Sequence, residues 1–366
     1  MILAFLGFCS VQCQSMRGLV MHHRNLASDG YEVYVWFRKA AEQGDLYAQF
    51  NLGLMYKKGE RIARDDQLAF GWLQRSALQG LAYAQNHLGT MYYNGHGIAR
   101  SDTDAAYWFR RAALQGDPSA QQNLGKMYKN GRGVEQSDPL ALVWFIRASE
   151  QGVASAQALL GEAYAKGLGV QKNDALALAW FRKAALQGDA AGQVNVALAY
   201  QDGHGVMQND AQALAWFRQA AAQRDPVAQR HLGFAYAEGR GVAPDLLRAH
   251  AWFLRAAEQN DLIAQFSLGL MLDCGQGMLQ DDAEAVAWYQ KAAERGHVQA
   301  QYHLGQMYYS GRGVEKNAMR SYMWMALAAE AGHASATCAA LASEMTQAEI
   351  DTALHLKRDW AQGRRS

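Results

Sequence analysis

Within residues 120–145 the chain reads Ala120-Gln-Gln-Asn-Leu-Gly-Lys-Met-Tyr128, then Gly131-Arg-Gly-Val134, then Trp144-Phe145, and this order returns every 36 residues. The ten tryptophans show the period most plainly, at 36, 72, 108, 144, 180, 216, 252, 288, 324 and 360. A fixed period of roughly 20–50 residues marks stacked supersecondary units, none of which can bury its apolar face alone. Tyr56, Tyr92, Tyr128, Tyr164, Tyr200, Tyr236 and Tyr308 lie sixteen residues before a tryptophan, and a run of glycines from Gly59 to Gly311 lies thirteen before. A second glycine, such as Gly97, Gly133 or Gly169, follows two residues later, then Ile98, Val134 or Val170 and a polar loop.

Each unit reads as two helices. In the second, helix A is expected from about Ala84 to Tyr93, with Ala84, Leu88, Met91 and Tyr92 on one face. Helix B is expected from about Asp102 to Gln115, with Ala105, Trp108, Phe109, Ala112 and Ala113 inward. The first glycine of the pair ends helix A, because glycine accepts the left-handed cap. Asp66, Asp102, Asp138, Asp174 and Asp210 are expected to precede helix B and cap its free N–H groups. Pro118 and Pro226 open A helices and Pro139 opens a B helix, where a missing N–H costs nothing.

Composition narrows the class further. With 366 residues, 50% hydrophobic, 19% charged and only four prolines, the chain is neither disordered nor collagen-like. The formal net charge is +1, which gives no global attraction to nucleic acid. The apolar opening Met1–Val11 is too short to span a bilayer. Four cysteines are too few for a disulfide scaffold.

The recurring Ala-Gln, Leu-Gly, Met-Tyr, Gly-x-Gly and Trp-Phe positions resemble the Sel-1-like repeats, a branch of the tetratricopeptide-like solenoids. The resemblance covers roughly residues 29–345. It implies an all-α, right-handed α/α superhelical solenoid of 36-residue helix–turn–helix repeats with a C-terminal capping helix. On that reading residues 1–28 are a degenerate N-terminal segment and 29–44 a lone helix B. Eight repeats fill 45–332, and the cap is 333–366. Departures are few: Arg224 and Asn260 replace the closing glycine, Leu272 replaces the tyrosine, and Arg61 replaces the second glycine. They are expected to loosen the fold locally without changing it.

The resemblance implies protein binding, as a non-enzymatic scaffold or adaptor of the kind common in bacteria. A competing class is a cell-envelope carbohydrate- or peptidoglycan-binding, or hydrolytic, surface protein. The placement of every tryptophan in helix B and the lack of paired carboxylates argue against it.

At the C-terminus Thr346-Gln-Ala-Glu349 matches a capping box, and Ile350, Leu354 and Trp360 follow at helical spacing. Lys357, Arg358, Arg364 and Arg365 supply the polar outer face a terminal element needs. At the N-terminus no Lys or Arg precedes the apolar run and no A-x-A site follows. A degenerate helix A, with Met16 at the Leu position, or a wrong start ranks ahead of a signal peptide. Cytoplasm is favoured over periplasm or secretion, and the compartment stays open.

No phosphate-loop, zinc-protease, nucleophile-elbow or dinucleotide motif is present. His87, His231 and His303 share one helix A position with Asn51, Asn123 and Asn195, so a structural hydrogen-bonding role is expected. His87 and His231 lie four repeats apart, roughly 40 Å at ordinary helix spacing, too far to share a metal. Cys9 and Cys13 give two ligands with no second pair. No catalytic, cofactor or metal site is expected.

By resemblance to tetratricopeptide solenoids, the concave face is lined by helix A positions +11, +14, +18, +21 and +22 after each tryptophan. They give Tyr47, Phe50, Lys57 and Lys58; then Tyr83, Asn86, Tyr93 and Asn94; then Gln122, Lys126, Lys129 and Asn130. Further on they give Glu162, Lys166, Asp202, Arg230, Phe234 and Glu238, then Ile263, Phe266, Asp273, Tyr302 and Tyr309. The first half is basic and aromatic, and the rest adds acids and apolar groups. The expected partner is a protein or peptide with its acidic part toward the first three repeats.

Overall fold

A computed structural model describes residues 30–59, 62–333 and 335–363; among these it has nineteen helices and no strands. The chain is an all-α solenoid of paired antiparallel helices. The expectations placed on residues 1–28, Arg61, Arg364 and Arg365 lie outside the described residues.

The helices fall into two compact units, one ending at Gln187 and one beginning at Gly188. In the first, Gly30–Glu42 precedes four A/B pairs: Leu46–Lys58 with Asp66–Leu78, Ala82–Asn94 with Asp102–Leu114, Pro118–Asn130 with Asp138–Glu150, and Ala154–Lys166 with Asp174–Leu186. The second holds Ala190–Asp202 with Asp210–Ala222, Pro226–Glu238 with Leu246–Glu258, Leu262–Asp273 with Asp282–Glu294, and Val298–Ser310 with Ala318–Glu330. Ser335–Glu344 and Gln347–Gly363 end it. Thr346 and Glu349 cap that last helix reciprocally, Thr346 N donating to Glu349 Oε2 at 2.9 Å and Glu349 N to Thr346 Oγ1 at 3.4 Å.

The local chemistry sets the helix ends, with one correction. The B helices are capped one residue earlier than the sequence suggested, by Asp65, Ser101, Ser137, Asn173 and Asn209. Asp66, Asp102, Asp138, Asp174 and Asp210 instead occupy the first helical position. Only the preceding residue has the extended backbone a cap needs, and the following carboxylate complements the positive end of the helix dipole.

The inward placement expected of the tryptophans holds for some and not for others. Trp108, Trp144, Trp288 and Trp324 are 5–8% exposed, while Trp36, Trp72, Trp180, Trp216, Trp252 and Trp360 are half-buried. The centre of each repeat belongs to the next residue, as with Phe109, Phe145, Phe181, Phe217 and Phe253. Its ring lies so close to helix A that a Cβ at Gly89, Gly125, Gly161 or Gly233 would come within 2.6–2.8 Å of it. The indoles cover this core from the side. A cation three residues on lies over many of them, Arg147 at 4.7 Å from Trp144 and Lys183 at 3.8 Å from Trp180.

Two contacts fix one repeat on the next. The second loop glycine lies against the first turn of the preceding B helix: a Cβ at Gly133 would stand 2.0 Å from the Asp102 carbonyl oxygen. The buried helix A glutamines form the other contact. Gln85 donates to Ala77 O of the preceding B helix at 3.0 Å, and Gln115 at the end of its own repeat donates to Gln85 Oε1 at 2.7 Å. Gln49/Gln79, Gln121/Gln151, Gln157/Gln187, Gln193/Gln223 and Gln229/Gln259 repeat the amide pair at 2.8–2.9, or for the last 2.7, Å. Arg295 breaks the series, and Gln265 Oε1 is buried without a partner.

Arg224 and Asn260 hold the left-handed backbone of the glycines they replace, at φ 66° and 65°. Arg224 N donates to Ala221 O at 2.9 Å and Asn260 N to Ala257 O at 3.0 Å, as Gly116 N does to Ala113 O, so the departures keep the turn. Arg224→Gly should raise stability by about 1 kcal/mol in a denaturant titration, by relieving that strain. Gly133→Ala should lower it by several kcal/mol, on the order of 3 or more, because the methyl meets backbone that cannot rotate aside.

Candidate functional site

In the first unit the expected helix A residues form a face whose polar members are largely satisfied from within. Tyr47 and Tyr83 are exposed, Tyr83 at 60%. Phe50 is half-buried between Tyr83 and His87, with ring centres 6.4 and 5.6 Å away. Lys57 is half-buried, its Nζ 3.3 Å from His87 Nδ1, and burial lowers its pKa. Lys58 is exposed. Asn86 accepts from Asn123 Nδ2 at 3.1 Å, and Gln122 donates to Ser155 at 2.7 Å. Lys129 Nζ is 2.7 Å from Glu162, which Lys166 also meets at 2.7 Å. Burial pushes the Glu162 carboxyl up, but the two ammonium groups outweigh it and hold it below its ordinary range. Charge reversal at Lys129 would therefore set it against Glu162.

Lys126 is exposed and, among the described residues, forms no ion pair. It opens onto a cleft of about 250 Å³ lined also by Tyr93, Asn94, Asn123, Asn130 and Arg132. The structure thus gathers Tyr93, Asn94, Lys126 and Asn130 at one place, while Lys57 and Lys129 belong to internal contacts.

In the second unit Arg230 is committed to Asp261 at 2.6 Å, both side chains well covered. Phe234 packs edge-on against Phe253 at 5.0 Å. Phe266 stacks on His297 at 4.8 Å and meets His303 and Tyr289. Tyr302 accepts from Gln306 at 2.7 Å and meets His333 edge-on. Tyr309, 41% exposed, donates to Glu344 at 3.0 Å. Ile263 is exposed, and Asp273 is held by Arg312 at 2.5 Å.

The sequence reading missed the residue between the two loop glycines. Arg132 clasps Asp102, the first residue of the preceding B helix, with Nε at 3.0 Å and Nη2 at 2.7 Å, and also donates to Tyr93. Arg312 does the same to Asp282 at 3.2 and 2.6 Å. The only signal was an Arg inside the Gly-x-Gly loop thirty residues after an Asp.

The helix A histidines are packed rings more than hydrogen-bonding groups. His231 stacks on Phe217 at 4.7 Å with planes 6° apart. Burial, with Lys57 nearby, pushes His87 down to about 4; burial, with Arg230 nearby, does the same to His231. Among the described residues no three His, Cys, Asp or Glu side chains converge as metal ligands, and no helix is long and apolar enough to cross a membrane. Cys338 is buried, which raises its thiol, and Cys274 is exposed.

A folded-state pKa near 4 against an ordinary 6.5 means the unfolded chain binds the proton first. Each ring's contribution is whole above about pH 6.5 and is lost as the pH falls toward 4. His231→Asn, which copies Asn195, should lose less stability between pH 7 and pH 4.5 than the parent chain. Parallel denaturation midpoints at the two pH values check this.

Comparison with known proteins follows the same repeat boundaries. The model of the Sel1 repeat matches residues 34–45, 46–81, 82–117, 118–153, 154–189, 190–225, 226–261, 262–297 and 298–333. The chain is similar to a Sel1 repeat protein from Oxalobacter formigenes, with 34% identity over 85% of this chain and 89% of that one, at a TM-score of 0.63. It is also similar to c5321, a protective antigen of uropathogenic Escherichia coli with an SLR fold, with 29% identity over 96% and 92% of the two chains, at a TM-score of 0.59. No protein of curated function matches it. With nine matched repeats covering most of its length, this chain belongs to the Sel1 repeat family.

Proposed function

We propose that this chain is a non-enzymatic protein-interaction scaffold whose helix A face, in the first unit, takes a peptide or protein segment carrying an acidic part. Sel1 repeats are commonly protein–protein interaction scaffolds and generally non-catalytic. The observation that carries the finer reading is the pair of tyrosines at equivalent positions of adjacent A helices. Tyr47 and Tyr83 are 39% and 60% exposed beside half-buried Phe50. Exposed aromatics on a rigid scaffold are the residues that anchor partners, because they bury large area at small entropic cost.

Charge supports the acidic preference more narrowly than the lysine count suggested. Lys129 and Lys57 are engaged internally, which leaves Lys126, with amide donors from Asn94 and Asn130 beside it, to meet a carboxylate. The tryptophans that a carbohydrate-binding reading needs as platforms are taken up by packing, and Arg or Lys covers many of their rings. No cofactor and no nucleic acid enter this proposal, in keeping with the balanced charge.

Tyr47→Ala with Tyr83→Ala should leave the melting temperature within a degree or two, since exposed side chains contribute little to folding. Proteins that co-purify with the parent chain, identified by mass spectrometry, should be depleted about tenfold or more from the double variant, on the scale of losing interface anchors. Equal recovery by both chains would rule out this face as the binding surface.

A further inference from the structure

The first-turn carboxylates of the B helices provide an internal comparison. Asp66 is met by Arg64 at 2.8 Å, Asp102 by Arg132 at 2.7 Å, Asp174 by Lys172 at 3.4 Å and Asp282 by Arg312 at 2.6 Å. Two members of the series, Asp138 and Asp210, form no ion pair among the described residues. At Asp138 the place of the arginine is taken by Leu168, and with Leu159 it reduces the cleft to about 10 Å³. At Asp210 an arginine is present thirty residues on, but Arg240 turns to Glu238, with Nε 2.5 Å from its carboxylate. The space beside Asp210 stays open.

That space is a cleft of about 200 Å³ lined by Asp210, Leu214, Phe217, His231, Phe234 and Glu238, with Arg240 at its rim. It is the repeat-equivalent, three repeats on, of the cleft at Lys126. Phe234 stands where the first unit has Lys126, Glu238 where it has Asn130, and Asp210 where it has the arginine-bound Asp102. The cation has been replaced by an aromatic ring, an amide by a carboxylate, and the internal arginine has been drawn away. Two carboxylates and one guanidinium leave the cleft with net negative charge beside the apolar walls of Leu214, Phe217 and Phe234.

We infer that this cleft in the second unit is a binding site for an arginine side chain of a protein partner, its guanidinium pairing with Asp210 as Arg132 pairs with Asp102. The site rests on the reading of the chain as a protein scaffold but uses different residues from the tyrosine face. Arginine fits better than lysine. The equivalent carboxylate Asp102 accepts two parallel N–H bonds from one planar fork, at 3.0 and 2.7 Å, a geometry an ammonium cannot supply. Phe234 offers the aromatic surface on which a guanidinium stacks.

The test uses the full chain and end-blocked pentapeptides, Gly-Gly-Arg-Gly-Gly and its citrulline and glutamate counterparts. Each is titrated while the backbone amide NMR signals of Asp210, His231, Phe234 and Gly241 are followed. The arginine peptide should move these signals. The citrulline peptide, of the same shape without the charge, should bind about tenfold more weakly, as for a lost charged hydrogen bond, and the glutamate peptide should not bind. Asp210→Asn should abolish the preference for arginine over citrulline, with the melting temperature lowered by no more than a few degrees for the lost charge at the helix N-terminus. Phe234→Lys, which copies Lys126 and keeps Asp210, should repel the arginine peptide. Equal binding of arginine and citrulline peptides, or no movement of these signals, overturns the assignment. So does arginine binding that appears only after Arg240→Ala, because Arg240 would then already match Asp210. Free arginine amide binding more tightly than the pentapeptide overturns the protein-borne source. A negative result for the tyrosine pair with a positive arginine titration removes the first-unit face alone; the reverse removes this cleft alone.

Discussion

Stacking in this chain depends on one loop backbone lying flat against the first turn of the helix before it. The second loop glycine makes that approach at Gly97 against Asp66, Gly133 against Asp102, Gly169 against Asp138, Gly241 against Asp210 and Gly313 against Asp282, with positive φ and no room for a Cβ. A side chain at these positions would push neighbouring repeats apart. The other inter-repeat contacts need the spacing this one sets. The buried glutamine can reach the preceding B helix's last-turn carbonyl only at that separation. The loop arginine can clasp the first-turn aspartate only because the loop already touches that turn.

The same geometry creates the places where function is read. At three junctions between successive A helices the space above a central phenylalanine differs, and substitution at a few positions decides what it becomes. Leucines at 159 and 168 fill it. Asn123 and Arg132 keep it open beside Lys126; His231 and Arg240 keep it open beside Phe234 and Glu238. The clefts share walls with the core, as at Phe109 and Phe217, but their chemistry varies at positions such as 126, 130, 234 and 238 that lie outside the buried core.

Internal pairing decides which charges are available to a partner. Lys57, Lys129 and Arg230 looked equivalent to Lys126 as members of one helix face. The fold spends the first three on His87, Glu162 and Asp261. Their partners come from the next repeat, thirty or so residues away, so no local pattern announces them.

The sequence alone determined the period, the helix pairs and the glycine turns of the described residues, since apolar positions that return every 36 residues at helical spacing mark stacked helix pairs. Only the tertiary structure decided that the ring after Trp108, Trp144, Trp180, Trp216, Trp252 and Trp288 lies deeper than the indole, that Ser, Asn or the earlier Asp caps helix B, and that Arg132 is bound to Asp102 while Arg240 turns from Asp210 to Glu238. The reason is physical. Periodicity fixes which residues face inward, but whether a polar side chain is satisfied depends on which neighbour comes within hydrogen-bond reach, and that is a property of the stacked repeats.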